Sequence, residues 1–168
     1  MNRLIFWNLI DASRRATRGD PEQQIGELKQ ALLSLTPNDI VAFDRILSAN
    51  HNRAYSWDLW GAAYLIGGGC SDDGFMDFRG WLISRGENVF EAALVDPETL
   101  VKVVKNHDGE CQIEGFQYVA GEAWQEITGK AAEDFPRHDI ELHKEPLGAP
   151  WSEEELEARY PKLFKKFG

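Results

Sequence analysis

Apolar residues recur along this chain every three to four positions, in short runs separated by proline, glycine and small polar residues. That is the period of amphipathic helices, with breakers at their ends. Phe6, Trp7 and Ile10 make the first stripe, and the basic group Arg14, Arg15 and Arg18 follows where a helix dipole favours cations. Gly19-Asp20-Pro21 closes that helix and opens the next, with Asp20 as N-cap and Pro21 at the first helical position. Ile25, Leu28, Leu32 and Leu35 then face one way. Thr36-Pro37 repeats the signal ahead of Ile40, Phe43 and Leu47. After the polar junction His51-Asn52-Arg53, Ser56 caps a helix carrying Trp57, Trp60 and Tyr64, and Phe75, Phe78 and Leu82 form the stripe beyond it, with Gly86 as its stop.

Val89, Phe90, Ala93 and Leu94 predict a short helix ended by Asp96-Pro97, and Leu100, Val101 and Val104 another capped by Asp96. Asn106-His107-Asp108-Gly109 reads as a turn, with His107 in solvent. A further helix is expected over about 113–127, with Phe116, Val119, Ala120 and Trp124 inward and Gly129 as its stop. Residues 130–150 change character, punctuated by Pro136, Pro146, Gly148 and Pro150. There His138-Asp139-Ile140-Glu141-Leu142-His143 alternates polar and apolar residues, which fits a short strand or extended segment. The odd separation of the two histidines puts them on opposite sides of such a segment, against a shared metal. Ser152 with Glu155 is a capping box. It starts a closing helix through Leu156 and Tyr160, after which Pro161 ends or restarts the helix and Leu163, Phe164 and Phe167 fold back. The pattern predicts an all-α fold: a single compact multi-helix domain over residues 1–168, with an irregular Pro-rich segment before the C-terminal helix.

Composition narrows the function classes. With 43% hydrophobic residues and six tryptophans in 168 residues, the chain has enough apolar surface for a core without staples. Cys70 and Cys111 form neither a disulfide framework nor a metal signature, which points to reduced thiols in the cytoplasm. The net charge of −10 argues against nucleic acid and anionic membranes as partners. It is unevenly spread: residues 1–60 carry 7 basic and 7 acidic groups, whereas 61–100 carry 2 and 7. A basic protein partner or a cationic ligand would be steered to the middle of the chain, although acidity there also serves solubility. No N-terminal leader is evident, and no apolar run reaches the length of a membrane span.

The densest chemistry lies in Gly67-Gly68-Gly69-Cys70-Ser71-Asp72-Asp73-Gly74-Phe75. The glycines permit a tight loop after a helix end, and Ser71 or Asp72 sits where the next helix needs an N-cap. A phosphate loop is rejected, since no Lys-Ser or Lys-Thr follows and two carboxylates would repel phosphate. A cationic or hydroxylated ligand suits the loop better. Trp57, Trp60, Tyr64, Phe75 and Trp81 are expected as core residues or as walls of a pocket floored by Cys70, Ser71, Asp72 and Asp73, with Arg79 as a balancing charge. Asp72, Asp73 and Asp77 could alternatively hold a divalent cation for metal-assisted hydrolysis. No cofactor motif is present, and no nucleophile has a base at a defined spacing. The leading expectation is a binding or regulatory module, and the alternative is that metal-assisted hydrolase.

Phe6-Trp7, the block from Ala63-Tyr64 through GGGCSDDGFMDFRGWLISRG to Asp96-Pro97, Tyr118-Val119-Ala120, Pro150-Trp151 and Tyr160-Pro161-Lys162-Leu163 together carry a resemblance over nearly the whole chain. They resemble the bacterial family catalogued as domain of unknown function 4240. The resemblance implies one compact unit and brings no catalytic residues with it.

Overall fold

The structure, a computed structural model, describes residues 1–105 and 111–168, so the expected turn around His107 lies outside the described residues. The fold is all-α. Six helices come first: α1 (Arg3–Ala16), α2 (Pro21–Leu33), α3 (Pro37–Arg53), α4 (Trp57–Gly67), α5 (Asp72–Ser84) and α6 (Glu87–Val95). A 3-10 turn (Pro97–Lys102), α7 (Val119–Thr128), α8 (Leu156–Arg159) and α9 (Pro161–Phe167) follow, with shorter 3-10 turns at Phe116–Tyr118, Ala132–Asp134 and Glu153–Glu155. No strand forms among the described residues; one isolated parallel bridge joins Ser56 to Leu147.

The helix starts follow from their capping residues. Asp20, Thr36 and Ser56 each accept a hydrogen bond from a backbone N–H in the first turn, with Pro21 and Pro37 directly behind the first two. Gly68, in the left-handed region at φ 66°, ends α4. Gly86 both ends α5 and opens α6 at φ 94°, and a Cβ there would lie 2.6 Å from Asp11 Oδ1.

One expectation is corrected. The helix placed over about 113–127 begins only at Val119, after a 3-10 turn (Phe116–Tyr118). Gly115 at φ 83° breaks the helical path, and the Ile113 N–H donates to the Asp77 carbonyl, fixing this stretch against α5 instead. Gly80 lies there, where a Cβ would meet the Phe116 Cβ at 3.0 Å. The alternating stretch 138–143, expected as a short strand or extended segment, forms no strand; it pairs with a side chain, as described below.

α2 and α3 pack on α7, α1 packs on α2, and α5 touches α1, α2, α3, α4 and α6. Phe6, Phe43, Phe75, Phe78, Phe90 and Phe116 are all fully buried along these contacts. Each such ring contributes about 1.5–3 kcal/mol of burial, alongside the buried leucines and isoleucines of the same core. No described helix is long and apolar enough to cross a membrane.

Candidate functional site

α4 and α5 meet at the glycine loop, and their aromatic faces stack into a ladder. Trp57 lies parallel to Trp60 at 5.2 Å, and Trp60 parallel to Phe75 at 4.9 Å. These rings come together because Trp57 and Trp60 are one turn apart on α4, while Phe75 sits in the first turn of α5 beside them. The loop is tied to the ladder by Trp60, whose Nε1 donates to the Cys70 carbonyl at 3.0 Å. Trp151 buttresses the far end: it meets Trp57 edge-on at 6.3 Å and donates from Nε1 to the Trp57 carbonyl at 2.9 Å.

Across the ladder runs the extended segment 141–147. Asn52 holds it as a strand neighbour would: its Nδ2 donates to the Glu141 carbonyl at 3.1 Å, and its Oδ1 accepts from the His143 N–H at 2.8 Å. Further on, the Leu147 N–H donates to the Tyr55 carbonyl and the Trp57 N–H to the Leu147 carbonyl, both at 2.9 Å. Upstream, His138 pairs with the Asp44 carboxylate on α3. Burial is the main influence on that carboxyl and raises it above the usual carboxylate range, with His138 opposing.

Between this strap and the helices lie two adjoining clefts. One, of about 490 Å³, is walled by Tyr55, Trp57, Trp60 and Phe75, with Asp72, Asp73, Met76 and Arg79 from α5 and Lys144, Glu145 and Pro146 from the strap. The other, of about 300 Å³, is lined by Leu47, Ser48, His51, Asn52, Gln117, Leu142 and His143, and shares Tyr55, Met76 and Arg79 with the first. Of the ten residues expected around a pocket, the structure gathers Trp57, Trp60, Asp72, Asp73, Phe75 and Arg79 in one cleft. Ser71 is the N-cap of α5, its hydroxyl accepting from the Gly74 N–H at 3.2 Å. Asp72 is therefore a first-turn residue and not the cap, and both it and Asp73 are exposed.

Three expected pocket residues lie elsewhere. Tyr64 points away, touching Trp151 and donating from its hydroxyl to Glu153 at 2.6 Å. Trp81 is buried one turn beyond Phe78, where it packs against that ring and under Arg85. Cys70 flanks the ladder by its backbone, and burial, with Asp72 adding to it, pushes its thiol up to about 11, so the sulfur stays protonated at neutral pH. Tyr55, Met76 and the three strap residues were missed. Tyr55 belongs to no helical stripe, and nothing in the alternation of 138–147 says which helices it will cross.

The metal reading is not supported. Asp72, Asp73 and Asp77 do not converge, and among the described residues no three His, Cys, Asp or Glu side chains are grouped to hold a metal ion. Asp77 is half-buried; burial first, and then the charges of Glu114 and Asp73, raise its carboxyl above the usual range. Nor is His51 a poised base. His51 sits beneath the smaller cleft with its Nε2 buried and unpaired among the described residues, and burial, reinforced by the charge of Arg79, lowers it to about 3.

Residues 1–126 match the family described as "Protein of unknown function (DUF4240)". The chain belongs to that family. No curated protein and no solved structure matches it. In this DUF4240 member the matched region holds the ring ladder, the glycine loop and Arg79, whereas the strap and Trp151 lie beyond it.

Proposed function

We propose that this protein is a binding module whose ligand is a small ring-bearing molecule held in the larger cleft by an amine or hydroxyl group. The observation that carries the reading is the convergence of stacked rings and two exposed carboxylates on one cleft, with the strap as its second wall. Aromatic walls with a few placed polar groups are the usual make-up of ligand sites. Asp72 and Asp73 offer acceptors to an ammonium or hydroxyl, beside the apolar wall that the ladder residues give the cleft. The chemistry at hand suits holding a molecule better than transforming it. The Cys70 thiol is protonated, the buried His51 is a weak base, and among the described residues no three carboxylate, imidazole or thiol groups are placed to hold a metal.

Benzylamine is a suitable probe, titrated into the ¹⁵N-labelled protein while the indole N–H signals are followed. Saturable shifts confined to Trp57, Trp60 and the start of α5, abolished in Asp72→Asn/Asp73→Asn, are the expected result. Shifts scattered over the surface, or none at millimolar probe, would end the reading.

A further inference from the structure

Arg79 is a half-buried cation with no carboxylate beside it among the described residues. Its Nη1 donates to the His51 carbonyl at 3.1 Å and its Nε to the Phe75 carbonyl at 3.4 Å. Its guanidinium lies over the rings of Tyr55 and Phe75, at 4.7 and 5.2 Å. Elsewhere on the molecule Arg3 and Arg53 are matched by Glu91 and Arg45 by Asp139, while Arg85, half-buried like Arg79, spends all three guanidinium nitrogens on Ser84, Gly19 and Gln24. Removing a guanidinium from water without an opposing charge is unfavourable, and carbonyls and ring faces offset only part of that. Nη2 has no hydrogen-bond partner among the described residues and is not one of the buried unpaired atoms, so its two N–H groups remain free to donate. Arg79 lines both clefts, at the place where they adjoin.

We infer that the ligand carries a carboxylate, and that Arg79 receives it at the junction of the two clefts. The inference rests on the binding reading above and adds the second end of the molecule. A planar carboxylate matches the edge of a guanidinium and forms charge-assisted hydrogen bonds with it. A phosphate dianion fits less well, because Asp72, Asp73 and Glu145 outnumber Arg79 and Lys144 around the same cleft. The spacing sets the ligand's length. Asp72 and Arg79 are seven residues apart on α5, hence on one face and about 10 Å apart along the axis. Because helical side chains lean toward the N-terminus, the guanidinium reaches back toward the carboxylates. The ligand class is a zwitterion with its amine and carboxylate separated by a ring or a comparable spacer, not a simple α-amino acid.

The test compares 4-(aminomethyl)benzoate with its carboxamide, with benzylamine and with the corresponding phosphonate, on the full chain and on Arg79→Met. The acid is expected to bind the wild type at least about tenfold more tightly than the amide, the size of one charge-assisted contact. In Arg79→Met the advantage of the acid over the amide should disappear. Because the comparison of acid with amide is made on the wild type, it holds even if the variant folds poorly. Equal binding of acid and amide to the wild type, with benzylamine still bound, overturns the carboxylate inference and leaves the binding reading standing. Tighter binding of the phosphonate overturns it in favour of a phosphate. No binding by any of the probes removes both.

Discussion

Gly61 sits buried in the middle of α4, on the face that receives the C-terminal part of the chain. An alanine Cβ there would lie 2.8 Å from Tyr160 Cε2, 2.9 Å from its hydroxyl and 3.1 Å from Trp151 Nε1. Two effects of opposite sign decide the outcome of Gly61→Ala. Helix propensity favours alanine by about 0.5–1 kcal/mol. Overpacking costs about 1–3 kcal/mol where neighbours cannot yield. Here they are held: Tyr160 is 4% exposed, and Trp151 is bonded to the Trp57 carbonyl. Losing that hydrogen bond adds about 0.5–1.5 kcal/mol. The net expectation is destabilisation by about 1–3 kcal/mol, or roughly 3–10 °C in Tm for a chain of this size. Gly26→Ala is the control, since Gly26 is helical, exposed and has nothing within 4 Å of its would-be Cβ, so it should gain about 0.5–1 kcal/mol. Both are read by urea melts followed by circular dichroism, with the Trp151 indole signal reporting on the C-terminal packing. If Gly61→Ala gains stability as the control does, the packing of Trp151 and Tyr160 on α4 is wrong, and with it the support for the Trp57 wall.

Other expectations follow from single residues. Ser71→Ala should cost about 1 kcal/mol as the loss of an N-cap, whereas Asp72→Asn should cost much less; urea midpoints showing the reverse order would make Asp72 the cap. His51 is lowered to about 3 in the folded chain from an ordinary 6.5, so the unfolded chain takes up the proton first as pH falls. Stability should therefore drop by up to about 1.4 kcal/mol per pH unit below pH 6.5, on account of this residue alone. His51→Gln should flatten that limb, and identical pH profiles for the two proteins would count against the buried neutral ring. With its thiol at about 11 in place of 9.0, Cys70 should react with iodoacetamide at pH 8 about a hundredfold more slowly than an unshifted thiol, measured by peptide mass mapping. A rate equal to that of free cysteine would show that the sulfur is neither buried nor repelled by Asp72.

Much of this fold is legible along the chain because its signals are local. Asp20-Pro21, Thr36-Pro37 and Ser56 mark helix starts through bonds made within a single turn, and Gly68 and Gly129 end helices at positive φ. The ladder is half legible. Trp57 and Trp60 share a helix face by their spacing, but their register against Phe75 depends on how the glycine loop turns. What the pattern does not contain is pairing between distant segments. Asn52 reads as a polar junction residue, yet its side-chain amide makes two of the bonds that hold the strap, to backbone 89–91 residues away. Trp81 reads along the chain as core or as a pocket wall; it is core, beyond Phe78, because α5 carries its rings around into the interior as it runs away from α4. The late start of α7 has the same origin, since the segment before it gives its N–H to the Asp77 carbonyl of another helix and not to its own next turn.

The division of the clefts between two stretches of chain bears on how such a protein diversifies. The floor, with its rings, Arg79 and the two aspartates, lies within residues 1–126, the part that matches the family. Lys144, Glu145 and Pro146, which form the opposite rim, lie outside it and are attached chiefly through one asparagine side chain and the bridge at Ser56. Rim and floor are therefore separable under selection: a few strap residues can be exchanged while the rings, Arg79, the two aspartates and the packed core stay as they are. For the proposed site, chimaeras that keep residues 1–135 and graft the strap and closing helices of other members would read out how far the rim alone sets what the cleft takes.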